Sequence, residues 1–160
     1  MRRESRSRAG FYEVVLSFEG WRVHRGTKMQ WLIDRRTSRI DEILPAMKTD
    51  IVLDHAASGR RIIIDTKFTS VVTGGWYRDE TLRSGYLYQI YAYIHSQIGR
   101  GDSMADCASG LLLHPSVGQP PVDETVVIQG HAIRFATVDL TATTNVIRAQ
   151  LLALCGQALQ

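Results

Sequence analysis

The run Ile62-Ile63-Ile64, closed by Asp65-Thr66-Lys67, constrains the chain more than any other stretch. Consecutive β-branched residues favour a strand, and successive strand side chains point to opposite faces. An unbroken apolar run therefore predicts a central strand covered on both sides. Upstream, Ile51-Val-Leu is a second such run, and His55-Ala-Ala-Ser-Gly-Arg60 between them has the small residues of a chain reversal. Leu44 to Phe68 thus reads as a β-hairpin, with Asp65 and Lys67 on one face and Ile64 and Thr66 on the other. An acid and a lysine ending a buried strand are costly to desolvate. A divalent cation would offset that cost: Asp50 and Asp65 are hard oxygen donors suited to Mg²⁺, which takes few carboxylates and completes its shell with water and phosphate. Lys67 beside them would orient or help deprotonate a metal-bound water. The plainer alternative is an Asp65–Lys67 ion pair at a strand end, with Asp50 in a surface turn.

The remaining chain alternates helical and extended patterns. Phe11, Val14, Val15 and Phe18 have the spacing of an amphipathic helix. Trp21 to Arg25 and Met29 to Ile33 read as two short strands around Gly26, with Trp31 and Ile33 on one face, and Arg35 to Asp41 reads as a loop. Gly74-Gly-Trp-Tyr-Arg-Asp-Glu80 combines glycines with two aromatics and an arginine, a loop able to stack on and grip a nucleic-acid backbone. Thr81 to Ile98 is the clearest helix: Leu87, Ile90, Ile94 and Ile98 form an apolar stripe that packs on the sheet, and Tyr86, Gln89 and Tyr93 form a neighbouring one. From that edge Gln89 reaches toward Lys67 or a bound phosphate. Ser109 to Pro115 reads as a buried strand halted by Pro115, with His114 a hydrogen-bonded histidine at the edge of the core. Ser116 to Glu124 is a loop, Thr125 to Gln129 and His131 to Val138 form a hairpin about Gly130, and Thr143 to Leu159 closes the chain as an amphipathic helix.

Leu44-Pro-Ala-Met-Lys-Thr-Asp-Ile51, then Ile63-Ile-Asp-Thr-Lys-Phe68, then Tyr88-Gln-Ile-Tyr-Ala-Tyr93 resembles the nuclease domain of McrC, the cleavage subunit of McrBC-type modification-dependent restriction systems, within the PD-(D/E)xK superfamily. The likeness spans roughly Phe11 to Leu140. It implies an α/β fold of the restriction-endonuclease kind, a mixed central sheet flanked by helices. It implies Mg²⁺- or Mn²⁺-dependent cleavage of DNA, with Asp50 and Asp65 as metal ligands joined by the Thr66 carbonyl. Lys67 would be the catalytic lysine, and Gln89 and Tyr93 would match the Gln-x-x-x-Tyr element of the RecB-like branch. The family's helix glutamate, found in a Leu-Phe-Glu context, has no counterpart in that context here, where Glu4, Glu13 and Glu19 are the acids available. Members also carry an N-terminal region that docks on a GTP-hydrolysing AAA+ partner. This chain begins almost at the nuclease domain, so by itself it is expected not to stimulate such a partner.

Composition sets the frame for these readings. A chain of 160 residues with 44% apolar and 22% charged residues suits one domain, 1–160, whose arginine-rich residues 1–9 read as a flexible start. A net charge of +3 and a pI near 9.1 accommodate a phosphate-bearing partner without requiring one. Cys107 and Cys155 stand far apart, which indicates neither a disulfide framework nor a zinc site and suits a reducing cytoplasm. No apolar run approaches the roughly 20 residues of a membrane helix. Two rivals stand beside the restriction nuclease: a non-catalytic nuclease-like module that binds DNA or regulates, and a stand-alone repair or mobile-element nuclease of the same superfamily.

Overall fold

The computed structural model describes residues 19–67, 72–73, 81–118 and 120–156. A six-stranded mixed sheet forms the centre of this α/β fold, in the order β1 (Trp21–Arg25), β4 (Ile51–His55), β5 (Arg60–Thr66), β8 (Ser109–Ser116), β10 (His131–Asp139), β9 (Asp123–Ile128). Strands β5, β8 and β10 run parallel, while β1, β4 and β9 pair antiparallel with their neighbours. Between β5 and β8 the chain crosses over through α2 (Ser84–His95) and the short α3 (Ser103–Asp106), and α4 (Thr144–Gly156) follows β10. Two small ladders stand outside this sheet: β2 (Lys28–Met29) with β3 (Met47–Lys48), and β6 (Val72–Thr73) with β7 (Thr81–Leu82); α1 (Ile40–Ile43) precedes β3.

The isoleucine run does what its pattern demands. Ile62 and Ile64 join Ile51, Leu53, Leu111 and Leu113 in a core layer closed by Leu151 and Cys155 of α4. Ile63 faces the other way, into a layer of Leu112, Ile133 and Phe135 closed by Ile90, Tyr93 and Ile94 of α2. The two helices therefore cover opposite faces of β5, and the residues that continue the Ile63 face, Asp65 and Lys67, come under α2. Helix and sheet approach closely at Gly110, where a Cβ would lie 2.7 Å from Ile90 Cγ1 and 3.1 Å from Ile94 Cδ1. Gly110→Ala is accordingly expected to push α2 outward at a cost of about 2 kcal/mol. A thermal melt should register a fall of roughly 4–8 °C, and an unchanged melt would show that the contact is slack.

The β4–β5 hairpin turns through a 3₁₀ turn, Ala56–Ser58, and Gly59 at φ 66°. Arg61 locks this end by forking onto Asp54, with Nε to Oδ1 at 2.6 Å and Nη2 to Oδ2 at 2.9 Å, and its Nη1 reaches Asp102 Oδ2 at 2.7 Å. The β9–β10 hairpin turns about Gly130 as expected, but Gln129, read as the last strand residue, belongs to the turn, and both have positive φ.

Several sequence expectations need correction. The first hairpin arm is not one strand from Leu44: Leu44 ends α1, Met47–Lys48 pairs with β2, and only Ile51–His55 pairs with β5. Met29 to Ile33 does not form a strand past Met29; Trp31 instead packs beside the α2-side core and donates its indole N–H to Pro45 O at 2.8 Å. The loop expected through Asp41 gives way to α1 at Ile40, and Thr81–Leu82 belongs to β7, so α2 starts at Ser84. Pro115 does not halt its strand. A residue's N–H and C=O point to the same side of a strand, and Leu113 O accepts from Lys67 N, so Pro115 also faces the β5 side. There it lies beyond the last β5 pairing, Thr66 with Leu113, and its missing N–H interrupts no ladder. The expected Phe11–Phe18 helix, the basic start and the Gly74–Glu80 loop lie outside the described residues.

Candidate active site

At the end of β5 the strand alternation brings Asp65 and Lys67 to the α2 face. Asp65 is 3% exposed, and Lys67 Nζ approaches its Oδ2 to 2.6 Å. Oδ2 is a buried carboxylate oxygen, and the Lys67 ammonium is the partner that holds it. Burial pushes the Asp65 carboxyl above its ordinary value; Lys67 pulls it down, and the nearby Asp50 charge adds to the rise.

Lys67 is held from the helix side. Its ammonium donates to Gln89 Oε1 at 2.7 Å, Gln89 Nε2 donates to Tyr93 Oη at 2.6 Å, and Tyr93 Oη donates to Lys48 O at 3.0 Å. An ammonium has no acceptor, so the amide oxygen must face it and the amide nitrogen must face the tyrosine. The Gln89 and Tyr93 spacing of i and i+4 places both on one helix face. Their chain of hydrogen bonds ties α2 to the segment immediately before Asp50.

Asp50 sits in the bend ahead of β4, where the pairing of Ile51 with Ile64 sets it beside the end of β5. Its Oδ2 accepts from Thr66 N at 2.8 Å and Thr66 Oγ1 at 2.7 Å, and its backbone carbonyl accepts from Gly26 N at 2.9 Å. Thr66, named from sequence for its carbonyl, thus also fixes the Asp50 carboxylate through its N–H and hydroxyl.

The structure therefore gathers Asp50, Asp65, Thr66, Lys67, Gln89 and Tyr93 at one end of the β4–β5 pair. Glu19 is not among them: it precedes β1 at the end where Trp21 pairs with His55, and its carbonyl accepts from His55 Nε2 at 3.1 Å. Glu4 and Glu13 lie outside the described residues. Sequence reasoning missed two neighbours. The Tyr86 ring lies 4.9 Å from Lys67 Nζ, and the buried His114 ring stands 5.7 Å from Tyr86. The signal for Tyr86 was its place three residues before Gln89 on the same stripe.

The donor set accommodates Mg²⁺. The buried Asp65 carboxylate feels the Asp50 charge, and Mg²⁺ commonly binds through one or two carboxylates with water and phosphate. Among the described residues no three His, Cys, Asp or Glu side chains converge as a metal-binding group. Asp54, the other acid of the hairpin, is occupied by the Arg61 fork and belongs to the scaffold. No family model matches this chain, and no curated protein is significantly similar to it.

Proposed function

We propose that this chain hydrolyses DNA phosphodiester bonds with Mg²⁺ or Mn²⁺, as a nuclease of the PD-(D/E)xK kind on a restriction-endonuclease-like fold. The observation that carries this reading is the Asp65–Lys67 pair, a buried carboxylate raised by desolvation, with the lysine at 2.6 Å and the Asp50 charge nearby. A strand end built for stability alone gains nothing from a second acid near that carboxylate, whereas Asp54 in the same hairpin is met by the Arg61 fork. Asp50 and Asp65, with the Thr66 carbonyl, would hold the metal, which supplies positive charge at the phosphate and lowers the pKa of a bound water. Lys67 holds a positive charge and its protons at the reacting phosphate and steadies the attacking water. Gln89 fixes where that ammonium points, and Tyr93 fixes Gln89 against the Lys48 carbonyl.

Within this reading, service as the cleavage subunit beside an AAA+ GTPase rests on the McrC-like motifs. Stimulation of such a partner's GTP turnover by this chain would favour that role over stand-alone repair or mobile-element processing. The test of the activity itself is incubation of supercoiled plasmid with the purified protein. Nicked or linear product in Mg²⁺ or Mn²⁺ and none in EDTA is expected; intact plasmid with both metals would refute the reading and favour a non-catalytic module.

A further inference from the structure

An ammonium has three N–H bonds to place, and two of the directions around Lys67 Nζ are already occupied: Asp65 Oδ2 at 2.6 Å and Gln89 Oε1 at 2.7 Å. The third neighbour is an aromatic face, the Tyr86 ring at 4.9 Å from Nζ to its centroid. A cation within about 6 Å of a ring centroid is drawn to the negative face of the ring, more strongly where water is excluded. Only 17% of the Lys67 side chain is exposed. We propose that Tyr86 is a positioning residue for Lys67, completing with Asp65 and Gln89 a three-sided seat for the ammonium. This inference rests on the nuclease reading of the site.

The ring is itself held in place. His114 backs it at 5.7 Å with the planes tilted by 42°, and the Arg83 guanidinium lies 6.0 Å from its centroid. Tyr86 N donates to Arg83 O at 3.0 Å in the first turn of α2. Strand β8 supports both partners, because Leu113 O accepts from Lys67 N while the next residue, His114, stands against Tyr86. The seat thus spans β5, β8 and α2. A four-carbon lysine side chain has many rotamers, and removal of one wall lets the ammonium leave the reacting geometry without losing its charge. The interaction belongs to the ring face and not to the hydroxyl, so phenylalanine should replace tyrosine.

Two measurements test this. Proton NMR of selectively labelled, metal-free protein should show the Lys67 ε-methylene shifted upfield by the ring current in wild type and in Tyr86→Phe, and unshifted in Tyr86→Leu. Plasmid cleavage in Mn²⁺ should show kcat lowered about tenfold in Tyr86→Leu with KM unchanged, and wild-type kcat in Tyr86→Phe. Tyr86→Leu cleaving at the wild-type rate, Tyr86→Phe as impaired as Tyr86→Leu, or no upfield shift in wild type would each overturn the inference. A wild-type protein that shows the shift yet cleaves no DNA would instead overturn the nuclease reading and leave the ring–ammonium contact standing.

Discussion

Lys67→Ala is expected to slow metal-dependent DNA cleavage by about a thousandfold, the scale on which a positioned proton-transfer group contributes. The fold should persist, since Ile62, Ile63 and Ile64 keep both of their core layers. The cost falls on Asp65. Its carboxyl is already raised by burial, and Lys67 is the group that pulls it down. Without the lysine the acid becomes harder still to ionise, so the metal-free variant should be weakened at neutral pH and recover as the pH is lowered. Gln89→Ala leaves Lys67 its contacts with Asp65 and Tyr86 and is expected to cost about tenfold, the value of one positioning contact. Single-turnover rates for the two variants check this ordering. Lys67→Ala cutting at the wild-type rate, or losing no more than Gln89→Ala, would misplace the lysine.

The second large effect expected under this reading is a stabilisation by Mg²⁺ that grows with pH. A carboxyl whose folded pKa is raised stabilises the fold fully below its ordinary value of 3.8, and this contribution is lost as the pH rises through the raised folded value. Mg²⁺ binds the carboxylate form, so its stabilisation should be small in acid and reach its full size once Asp65 is ionised. At a concentration ten times Kd this amounts to about 1.4 kcal/mol. Asp123 acts in the opposite direction: Arg134 bonds hold its carboxyl low, so its contribution is lost in acid whether or not metal is present. The informative quantity is thus the difference between melts in Mg²⁺ and in EDTA across the pH range, for wild type and for Asp65→Asn. That difference should rise with pH in wild type and vanish in Asp65→Asn. A response equal at all pH values, or retained in the variant, would remove Asp65 from a metal site.

The hairpin and its covered strand were legible because a triple isoleucine admits few environments, and because strand alternation then assigns Asp65 and Lys67 to the face opposite Ile64. Helical spacing put Gln89 and Tyr93 on one stripe, while their place at the site came from the resemblance to the Gln-x-x-x-Tyr element. The broken first arm was not: Met47 and Lys48 have the pattern of a strand, but sequence does not show that their partner is Lys28–Met29 and not β5. The seat of Lys67 was half hidden for the same reason. Tyr86 shares a stripe with Gln89, but whether its ring faces the lysine depends on where His114 of β8 places it, a contact between positions remote in sequence. The like-charge cost also falls where sequence could not assign it. Both acids read alike, yet Asp50 receives two hydrogen bonds from Thr66, while Asp65 is buried against Lys67 and bears the desolvation.

Single-turnover cleavage of one end-labelled DNA duplex in Mn²⁺, by wild type and by Asp65→Asn side by side, decides whether the Asp65 carboxylate serves metal-dependent DNA hydrolysis. Asp65→Asn keeps the size of the side chain and removes its charge, so a folded but inactive variant isolates the carboxylate. The expected result is metal-dependent cleavage by wild type and none above background by Asp65→Asn. Undiminished cleavage by Asp65→Asn, or none by the wild-type protein, would contradict it.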